Sequence, residues 1–268
     1  MSGDNRPVGV FDSGIGGLTV ARLIAQEMPE EDVIYVGDTA NLPYGNKSVP
    51  ELIKLARSIM DFLVKQGVKV IVAACNTSSS VSIDVLRDRY DVPIIGVVKP
   101  GVRAAVRSSR NHIIGVLATE ATARSGAYSR EIVALDGEAR VWEVACPELV
   151  PMVEAGLTEG PEVIRALATY LQVPLAHQAD TIILGCTHYP YLRASIELLT
   201  GGWVNLVDPA VETVNELKQT LAAIDGSAVR EQGSARFYAT GPIDSFNKIG
   251  SGFYGQGLGG VEIISLQN

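Results

Sequence analysis

Cysteine is scarce in this sequence, and its arrangement excludes several classes of protein. There are 3 cysteines in 268 residues, an odd number, and none of them forms a Cys-x-x-Cys pair. That pattern argues against a disulfide framework and predicts a reducing, cytoplasmic environment. Long apolar runs are lacking too, because no window approaches the roughly 20 apolar residues of a membrane span. The first residues lead directly into a predicted strand without the pattern of a signal peptide, so we expect no export.

Positive charge is also in short supply. Lys and Arg number 22 against 30 Asp and Glu, which gives a net charge of −8, and the basic residues form no cluster. We therefore expect no membrane partner and no direct contact with nucleic acid. Hydrophobic residues make up 47% of the chain. They are ample for a buried core, and the length suits one large or two small domains.

The glycine-rich stretch at residues 12–17, D-S-G-I-G-G, lacks the marks of the common nucleotide-binding loops. The third glycine of a dinucleotide fingerprint is missing, and so is the Gly-Lys-Ser/Thr of a phosphate-binding loop. One interpretation is an Asx-type turn in which Asp12 caps the first helix. The other is a carboxylate at a strand end, able to hold an ammonium group or to partner a thiol, while Ser13 and the glycine amides hold a carboxylate.

The sequence does contain a regular alternation of strand and helix patterns. Apolar runs predict strands at residues 8–11, 32–36, 68–73 and 92–98, the last one stopped by Lys-Pro-Gly at 99–101. Helical spacing predicts helices at Leu18–Glu27, 49–66 and 81–90. Such alternation builds right-handed βαβ units on a parallel sheet.

The four-strand pattern then occurs a second time, in the same order. The matching strands are predicted at residues 113–117, 139–145, Thr181–Gly185 and 204–207. A helix at 210–223, a strand at 236–240 and a helix after Gly241 follow. The repeat predicts an α/β fold of two similar, pseudo-symmetric α/β domains with mostly parallel sheets. We place the first domain at residues 1–98 plus 209–268 and the second at residues 99–208, with the active site in the interdomain cleft.

Cys75 and Cys186 close the third strand of each repeat, and polar residues follow both of them. The C-terminal ends of parallel strands are where α/β proteins bind ligands. A helix N-terminus after the strand would lower the pKa of each thiol, which suits a base or a nucleophile. His188, two residues after Cys186, is a proton partner in this interpretation and a structural histidine in the alternative. Cys146 has no counterpart in the other repeat and is interpreted as a core cysteine.

Other uses of the thiols stay open from the residues alone. Cys75, Cys186 and His188 are zinc-ligand types, although the usual compact ligand spacing is missing. A Cys–His dyad of the protease kind would use one thiol and leave the other unexplained. A redox pair is disfavoured because the Cys-x-x-Cys motif is absent. Glu154, on a predicted short helix, has a solvated surface carboxylate as its default interpretation.

Together these motifs resemble the glutamate racemases, a family of cofactor-independent amino-acid racemases. The resemblance spans nearly the whole chain and rests on G-V-F-D-S-G-I-G-G-L, G-D-T-A-N-L-P-Y-G, A-C-N-T, C-P-E-L-V-P-M-V-E and G-C-T-H-Y-P. One departure is Asn41, which stands where the family usually has Arg, and it alters the expected salt-bridging of that loop rather than the chemistry. Aspartate racemases, hydantoin racemases and maleate isomerases of similar architecture are the alternatives.

The resemblance implies a role for each motif residue. Cys75 would be the base for D-glutamate and Cys186 the base for L-glutamate. Asp12 would assist Cys75, while His188, oriented by Glu154, would assist Cys186. The substrate-binding positions would be Asp12, Ser13, Tyr44, Gly45, Asn76, Thr77, Thr119, Thr122, Thr187 and His188. The resemblance implies no metal and no cofactor.

The chemistry agrees with this implication, because racemisation removes a proton from one face of the α-carbon and returns one to the other. Two bases on opposite walls do this without rotating the intermediate, and duplicated domains would supply both walls. The resemblance further implies glutamate as the small-molecule substrate, a homodimer, and D-glutamate delivered to peptidoglycan synthesis in a bacterial cytoplasm. Some members of the family inhibit DNA gyrase, so gyrase is a candidate partner in a secondary role.

Overall fold

The structure, a computed structural model, describes residues 3–266. It divides the chain into two compact units, Met1–Val97 with Ala210–Asn268 (unit 1) and Val98–Pro209 (unit 2). The ends of the predicted first domain at residues 1, 2, 267 and 268 lie outside the described residues. We predict from the sequence that these units are domains with limits at residues 98 and 209, and this stays a prediction. No helix within residues 3–266 combines the length and the apolar character that a membrane crossing requires.

Strands and helices alternate along almost the whole described chain. The strands are β1 (Val8–Asp12), β2 (Val33–Gly37), β3 (Val70–Ala73), β4 (Ile94–Gly96), β5 (Ile113–Ala118), β6 (Arg140–Ala145), β7 (Thr181–Gly185), β8 (Asn205–Val207), β9 (Ala235–Ala239) and β10 (Val261–Ile263). The α-helices are α1 (Leu18–Glu27), α2 (Val49–Lys65), α3 (Asn76–Val81), α4 (Ile83–Leu86), α5 (Val98–Ser108), α6 (Glu120–Ser125), α7 (Ala127–Leu135), α8 (Leu149–Glu154), α9 (Pro161–Ala176), α10 (Arg193–Thr200), α11 (Pro209–Ala223) and α12 (Ile243–Tyr254). Short 3₁₀ helices cover Thr39–Asn41, Arg87–Arg89 and Tyr189–Leu192.

Each unit contains one parallel sheet. The sheet of unit 1 has the strand order β10-β9-β2-β1-β3-β4, and that of unit 2 has the order β6-β5-β7-β8. The segment β2-β1-β3-β4 therefore has the same arrangement as β6-β5-β7-β8. Every strand of the predicted repeat takes the same place in its sheet as its counterpart. The predicted fold class, two similar α/β units with parallel sheets, is confirmed.

The central strands are buried along their whole length, because helices cover both faces of a parallel sheet. β1, β3, β5 and β7 contain buried residues only. The core of unit 1 includes Phe11, Ile34, Ile59, Leu63 and Ile71. The core of unit 2 includes Val102, Ile114, Tyr128, Ile132 and Ile183. These packed cores fix the strand ends, which carry the polar residues considered for the site.

Helix α2 shows how the sequence defines an element boundary. The Ser48 and Glu51 side chains form a capping box, and a proline lies in the first turn. These groups satisfy N–H donors that a helix start leaves without partners. The helix accordingly begins at the predicted residue, Val49. Helix α1 and strand β7 also have the predicted bounds.

The prediction for the chain around residues 92–101 is wrong in part. The strand covers only Ile94–Gly96, and Lys99, Pro100 and Gly101 lie in the first turn of α5 instead of stopping a strand. Proline is tolerated there because the N–H that it lacks would have no helical partner.

The helix predicted for residues 81–90 also differs from the structure. A helix begins at Asn76 directly after Cys75, where a helix N-terminus behind the thiol is expected, but it is interrupted at Ser82 instead of continuing through residues 81–90. It ends in the 3₁₀ turn Arg87–Arg89. The run of polar residues after Cys75 has no apolar periodicity. The start of α3 is therefore set by its attachment to the end of β3 and not by amphipathic spacing.

Candidate active site

Polar residues of unit 1 gather where three neighbouring strands end. Asp12 is the last residue of β1, Asp38 follows β2 directly, and Cys75 follows the end of β3. Because β1 lies between β2 and β3 in the sheet, Asp12 lies between the other two side chains along this edge. The C-terminal edge of a parallel sheet is the usual place for a ligand.

The Cys75 thiol is buried at the start of α3. The residue is 4% exposed, and Ser78 and Ser13 offer the sulfur hydrogen bonds that favour the thiolate. Burial, followed by the charge of the neighbouring Asp12 carboxylate, acts in the opposite direction and raises the pKa of the thiol to about 11. The expected lowering of the Cys75 pKa by the helix N-terminus is therefore wrong. The loss of water and the like charge outweigh the hydrogen-bond donors.

Asp12 combines a local turn with a position beside this thiol. Its Oδ2 accepts a hydrogen bond from the N–H of Gly14 at 3.0 Å, which is the geometry of an Asx-type turn. A Cβ atom at Gly17 would lie 2.6 Å from the Cβ of Asp12. A glycine is therefore required there for the loop to close over the carboxylate.

Asp38 is a buried carboxylate that joins three segments of unit 1. Its Oδ1 accepts hydrogen bonds from the Asn41 amide at 2.9 Å and from the Thr240 hydroxyl at 2.6 Å. Its Oδ2 accepts one from the Tyr44 hydroxyl at 2.5 Å. All three partners donate, which matches the acceptor-only character of a carboxylate. Asp38 thus ties the loop after β2 to the end of β9.

The loop that carries Tyr44 and Gly45 is held through this carboxylate. Burial and the charge of Asp38 raise the pKa of Tyr44 well above its ordinary value, so the hydroxyl keeps its proton. Since that proton points to Asp38, the Tyr44 hydroxyl can offer a ligand only its oxygen, as an acceptor. Asn41 contributes a hydrogen bond to the loop, where a longer basic side chain would form an ion pair.

In unit 2 a thiol, an imidazole and a carboxylate form a chain of contacts. The Sγ of Cys186 lies 3.8 Å from Nδ1 of His188, and Nε2 of His188 lies 3.1 Å from Oε1 of Glu154. The Cys186 and His188 side chains are buried, whereas the Glu154 side chain is 31% exposed. A carboxylate only accepts, so Nε2 carries the proton of the neutral ring and the lone pair of Nδ1 faces the thiol.

Thr119 and Thr122 lie at the end of β5, next to the end of β7. Thr119 is the N-cap of α6, where its hydroxyl accepts from the Thr122 N–H at 3.4 Å and lies 2.9 Å from the Thr122 hydroxyl. This pair explains the local backbone without a ligand. Thr187, between Cys186 and His188, is buried at the end of β7.

Cys146 follows β6 at the edge of the sheet of unit 2. Its thiol donates to the carbonyl of Val144 at 3.3 Å, and its carbonyl accepts from the Tyr189 hydroxyl at 3.0 Å. Burial raises the pKa of the Cys146 thiol to about 12. The contacts are those of a core cysteine, which agrees with its interpretation from the sequence.

The predicted site residues form two groups, one in each unit. Unit 1 carries Asp12, Ser13, Tyr44, Gly45, Cys75, Asn76 and Thr77 at the ends of β1, β2 and β3. Unit 2 carries Thr119, Thr122, Glu154, Cys186, Thr187 and His188, which lie at or contact the ends of β5 and β7. Among the residues that the structure describes, no three His, Cys, Asp or Glu side chains are arranged to hold a metal ion. Each group contains one thiol with a proton-accepting side chain beside it.

Comparison with known proteins decides the family. Residues 18–217 match the Asp/Glu/Hydantoin racemase family. This chain belongs to that family. A glutamate racemase of Desulforudis audaxviator is 47% identical over 93% of this chain and 94% of the relative. One of Corynebacterium diphtheriae is 44% identical over 97% of this chain and 98% of the relative.

A solved structure of the same family agrees with the fold of this chain. The crystal structure of glutamate racemase from Francisella tularensis, in complex with D-glutamate, has a TM-score of 0.94 at 36% identity. The match covers 98% of this chain and 99% of that one. The resemblance inferred from the sequence motifs is confirmed.

Within this racemase-family fold the two thiols occupy equivalent places. β3 pairs with β1 and β4, and β7 pairs in the same way with β5 and β8. Cys75 follows the first of these strands and Cys186 the second. The equivalence follows from the repeated strand order, so it was accessible from the sequence.

Asp38 is a candidate site residue of this family member that the sequence interpretation omits. Its place directly after β2 parallels that of Asp12 at the end of β1, and this strand-end position is the signal that identifies it. Its contact with Thr240 spans 202 residues of sequence, and no local pattern predicts such a pair.

Proposed function

We propose that this racemase-family protein is a glutamate racemase, an isomerase that interconverts L-glutamate and D-glutamate without a cofactor. The observation that carries the proposal is the full-length similarity to glutamate racemases in a chain with one thiol at the same place in each sheet. The relative bound to D-glutamate supports glutamate as the substrate. Neither the family nor the fold alone distinguishes glutamate from aspartate, so the identity of the relatives supports that choice.

The reaction needs two groups that act on opposite faces of the α-carbon. One group removes the proton as a base while the other donates a proton as an acid, and they exchange roles with the direction of the reaction. In this proposal unit 1 and unit 2 are the two predicted domains, and each supplies one thiol. Cys75 is the base for D-glutamate and Cys186 the base for L-glutamate.

The environment of Cys75 suits the acid role in the direction from L- to D-glutamate. With its pKa raised to about 11 by burial and by the Asp12 charge, Cys75 holds its proton near neutral pH. In the other direction the thiol has to lose its proton. A substrate ammonium group next to Asp12 would offset the charge of that carboxylate and lower the pKa of Cys75. Substrate binding therefore prepares this thiol for catalysis.

The environment of Cys186 suits removal of a proton from L-glutamate. His188, whose Nδ1 faces the sulfur at 3.8 Å, takes the thiol proton and leaves a thiolate. Glu154, 3.1 Å from the other ring nitrogen, stabilises the imidazolium and holds the ring in this orientation. We propose Glu154 as a positioning residue because it touches the histidine and not the sulfur.

The charge that develops on the substrate has to be stabilised by hydrogen-bond donors. Asn76 and Thr77, which carry amide and hydroxyl groups that can donate hydrogen bonds, open α3 directly after Cys75. Thr187 follows Cys186 directly. Donors of this kind, held in place before the reaction, stabilise negative charge that grows on the substrate carboxylate. Ser13, Gly45, Thr119 and Thr122 complete the proposed binding positions.

The experiment that tests the function compares substrates by chiral chromatography. Purified protein, incubated with a metal chelator and without pyridoxal phosphate, should convert L-glutamate to the racemic mixture and leave L-aspartate unchanged. Racemisation of aspartate alone would assign the chain to an aspartate-specific branch of the family. Conversion of maleate to fumarate with glutamate untouched would assign a maleate isomerase.

We further propose that the enzyme is a homodimer of the bacterial cytoplasm and that its D-glutamate enters peptidoglycan synthesis. The support is the family resemblance and a composition without a disulfide framework. Sedimentation velocity should give the mass of two chains, and a single-chain mass would contradict the dimer. An interaction with DNA gyrase stays a prediction of the resemblance alone.

A further inference from the structure

The glycine loop of residues 12–17 rests on a buried phenol that the mechanism above does not use. Tyr35, in the middle of β2, is fully buried. Its hydroxyl donates a hydrogen bond to the carbonyl of Gly14 at 2.8 Å. The ring packs against Phe237 and Phe246, with centroid distances of 6.4 and 6.2 Å. The position of the hydroxyl is therefore fixed by the core of unit 1.

The same hydroxyl lies at the start of α1, close to the reacting groups of unit 1. The backbone N–H groups of Leu18 and Gly17, at this helix start, lie near enough to the phenol to act on its pKa, which they lower. Burial raises the pKa of Tyr35, and the charges of Asp12 and Cys75 act in the same direction. The phenol thus keeps its proton and donates it to the Gly14 carbonyl. This hydrogen bond joins the glycine loop to the middle of β2.

The glycine loop also lies close to the end of β2 at Gly37. A Cβ atom at Gly37 would come within 2.4 Å of the Gly14 carbonyl oxygen, which leaves no space for a water molecule between loop and strand. Gly14 in turn donates its N–H to Asp12 at 3.0 Å. Ser13, the residue between them, offers its hydroxyl to the Cys75 sulfur. The phenol, the loop and the thiol form one connected set.

We infer that Tyr35 is a positioning residue for the Cys75 half of the reaction: its hydroxyl fixes the glycine loop, and with it the Asp12 carboxylate and the Ser13 hydroxyl, relative to the Cys75 sulfur. This role rests on the proposed two-thiol function. It predicts that loss of this one buried hydroxyl, with the ring retained, changes the apparent pKa of the Cys75 thiol. The apparent pKa of the Cys186 thiol should stay the same.

The test compares Tyr35→Phe with Tyr90→Phe. Tyr90 is a matched control in the same unit, since its hydroxyl donates to the Asp61 carboxylate at 2.8 Å on the outer helix α2. Tyr35→Phe should lower kcat/KM for glutamate by about tenfold, which is the effect of about one lost hydrogen bond on the reaction. Tyr90→Phe should change it by less than about twofold.

The second readout is the pH dependence of thiol alkylation, followed for each cysteine by peptide mass spectrometry. In Tyr35→Phe the apparent pKa of Cys75 should fall from about 11 towards that of an ordinary thiol, because a loosened loop admits water and moves the Asp12 charge. The profile of Cys186 should not move. If the role of Tyr35 were merely structural, the substitution would lower the melting temperature but would not shift the pKa of Cys75 relative to that of Cys186.

Two results would overturn the inference. One is a Tyr35→Phe variant with the native kcat/KM, and the other is a shift of the Cys75 and Cys186 profiles by equal amounts. Failure of the proposed function is distinguishable, because it would be seen as absent glutamate racemisation in the unmodified protein. The alkylation profiles would still decide whether the phenol positions the thiol.

Discussion

The charge of Asp12 makes the most specific prediction about this site. The pKa of Cys75 is about 11, against 9.0 for an ordinary cysteine. That difference corresponds to roughly 3 kcal/mol against the thiolate. Burial is the larger cause and the Asp12 carboxylate is the second. Replacement of Asp12 by Asn removes the charge, while the amide oxygen can still accept from Gly14.

We expect Asp12→Asn to lower the pKa of Cys75 by about one pH unit or more, since a like charge within a few ångströms has an effect of that size. The pKa should stay above that of an exposed thiol because the burial remains. Racemisation should nevertheless become slower, by roughly a hundredfold, because the variant lacks the carboxylate that holds the substrate ammonium group and assists proton transfer. A more acidic thiol in a slower enzyme is the combined signature.

The assay is the rate of alkylation by iodoacetamide between pH 7 and pH 11, with each cysteine followed in its own peptide. Cys186 is the internal control, and its profile should be the same in both proteins. An apparent pKa of Cys75 that is unchanged or higher in Asp12→Asn would refute the reasoning. An equal shift in the apparent pKa of both thiols would mean that the substitution alters the whole protein.

Further predictions concern stability and the second thiol. Lys69 and Glu31 form an ion pair at 2.5 Å, and both side chains are fully buried. Lys69→Met should lower the free energy of unfolding in urea by about 3–5 kcal/mol, because it leaves a buried carboxylate without its cation. A decrease below about 1 kcal/mol would contradict this. Glu154→Gln should lower kcat about tenfold through His188 and leave the melting temperature unchanged, because the Glu154 side chain is 31% exposed. The raised pKa of Cys75 stabilises the folded protein below about pH 9, and this contribution is lost as the pH rises through about 11. The free energy of unfolding should therefore fall less steeply between about pH 9 and pH 11 in Cys75→Ala than in the unmodified protein.

The parts of the fold that sequence predicts well are those with a local pattern. Thr181–Gly185 is an apolar run closed by a glycine, and the structure has a strand with these bounds. Leu18–Glu27 follows a glycine turn and has the predicted bounds too. The repeated order of four strands is sufficient to place both thiols at equivalent strand ends. Local pattern and global fold agree at these positions.

The features that sequence does not predict depend on distant contacts. Val261–Ile263 is only three residues long and follows several glycines, yet it pairs with β9 as the edge strand of unit 1. Asp38 acquires its role from Thr240, which is remote in sequence. The pKa of Cys75 depends on how deeply the thiol is buried and on the nearby Asp12. A helix N-terminus alone would lower the pKa of a thiol. The sequence cannot show that burial reverses this effect, because it does not reveal how much water reaches the site.

The most direct test of the two-thiol mechanism is the fate of the α-proton in heavy water. Early in the reaction of L-glutamate, the D-glutamate formed should carry deuterium while the remaining L-glutamate keeps its hydrogen, because the base that removes a proton is not the acid that returns one. Cys75→Ala and Cys186→Ala should each abolish product formation with the fold retained. Deuterium that accumulates in unreacted L-glutamate as fast as in the product, or normal turnover by either variant, would contradict the mechanism.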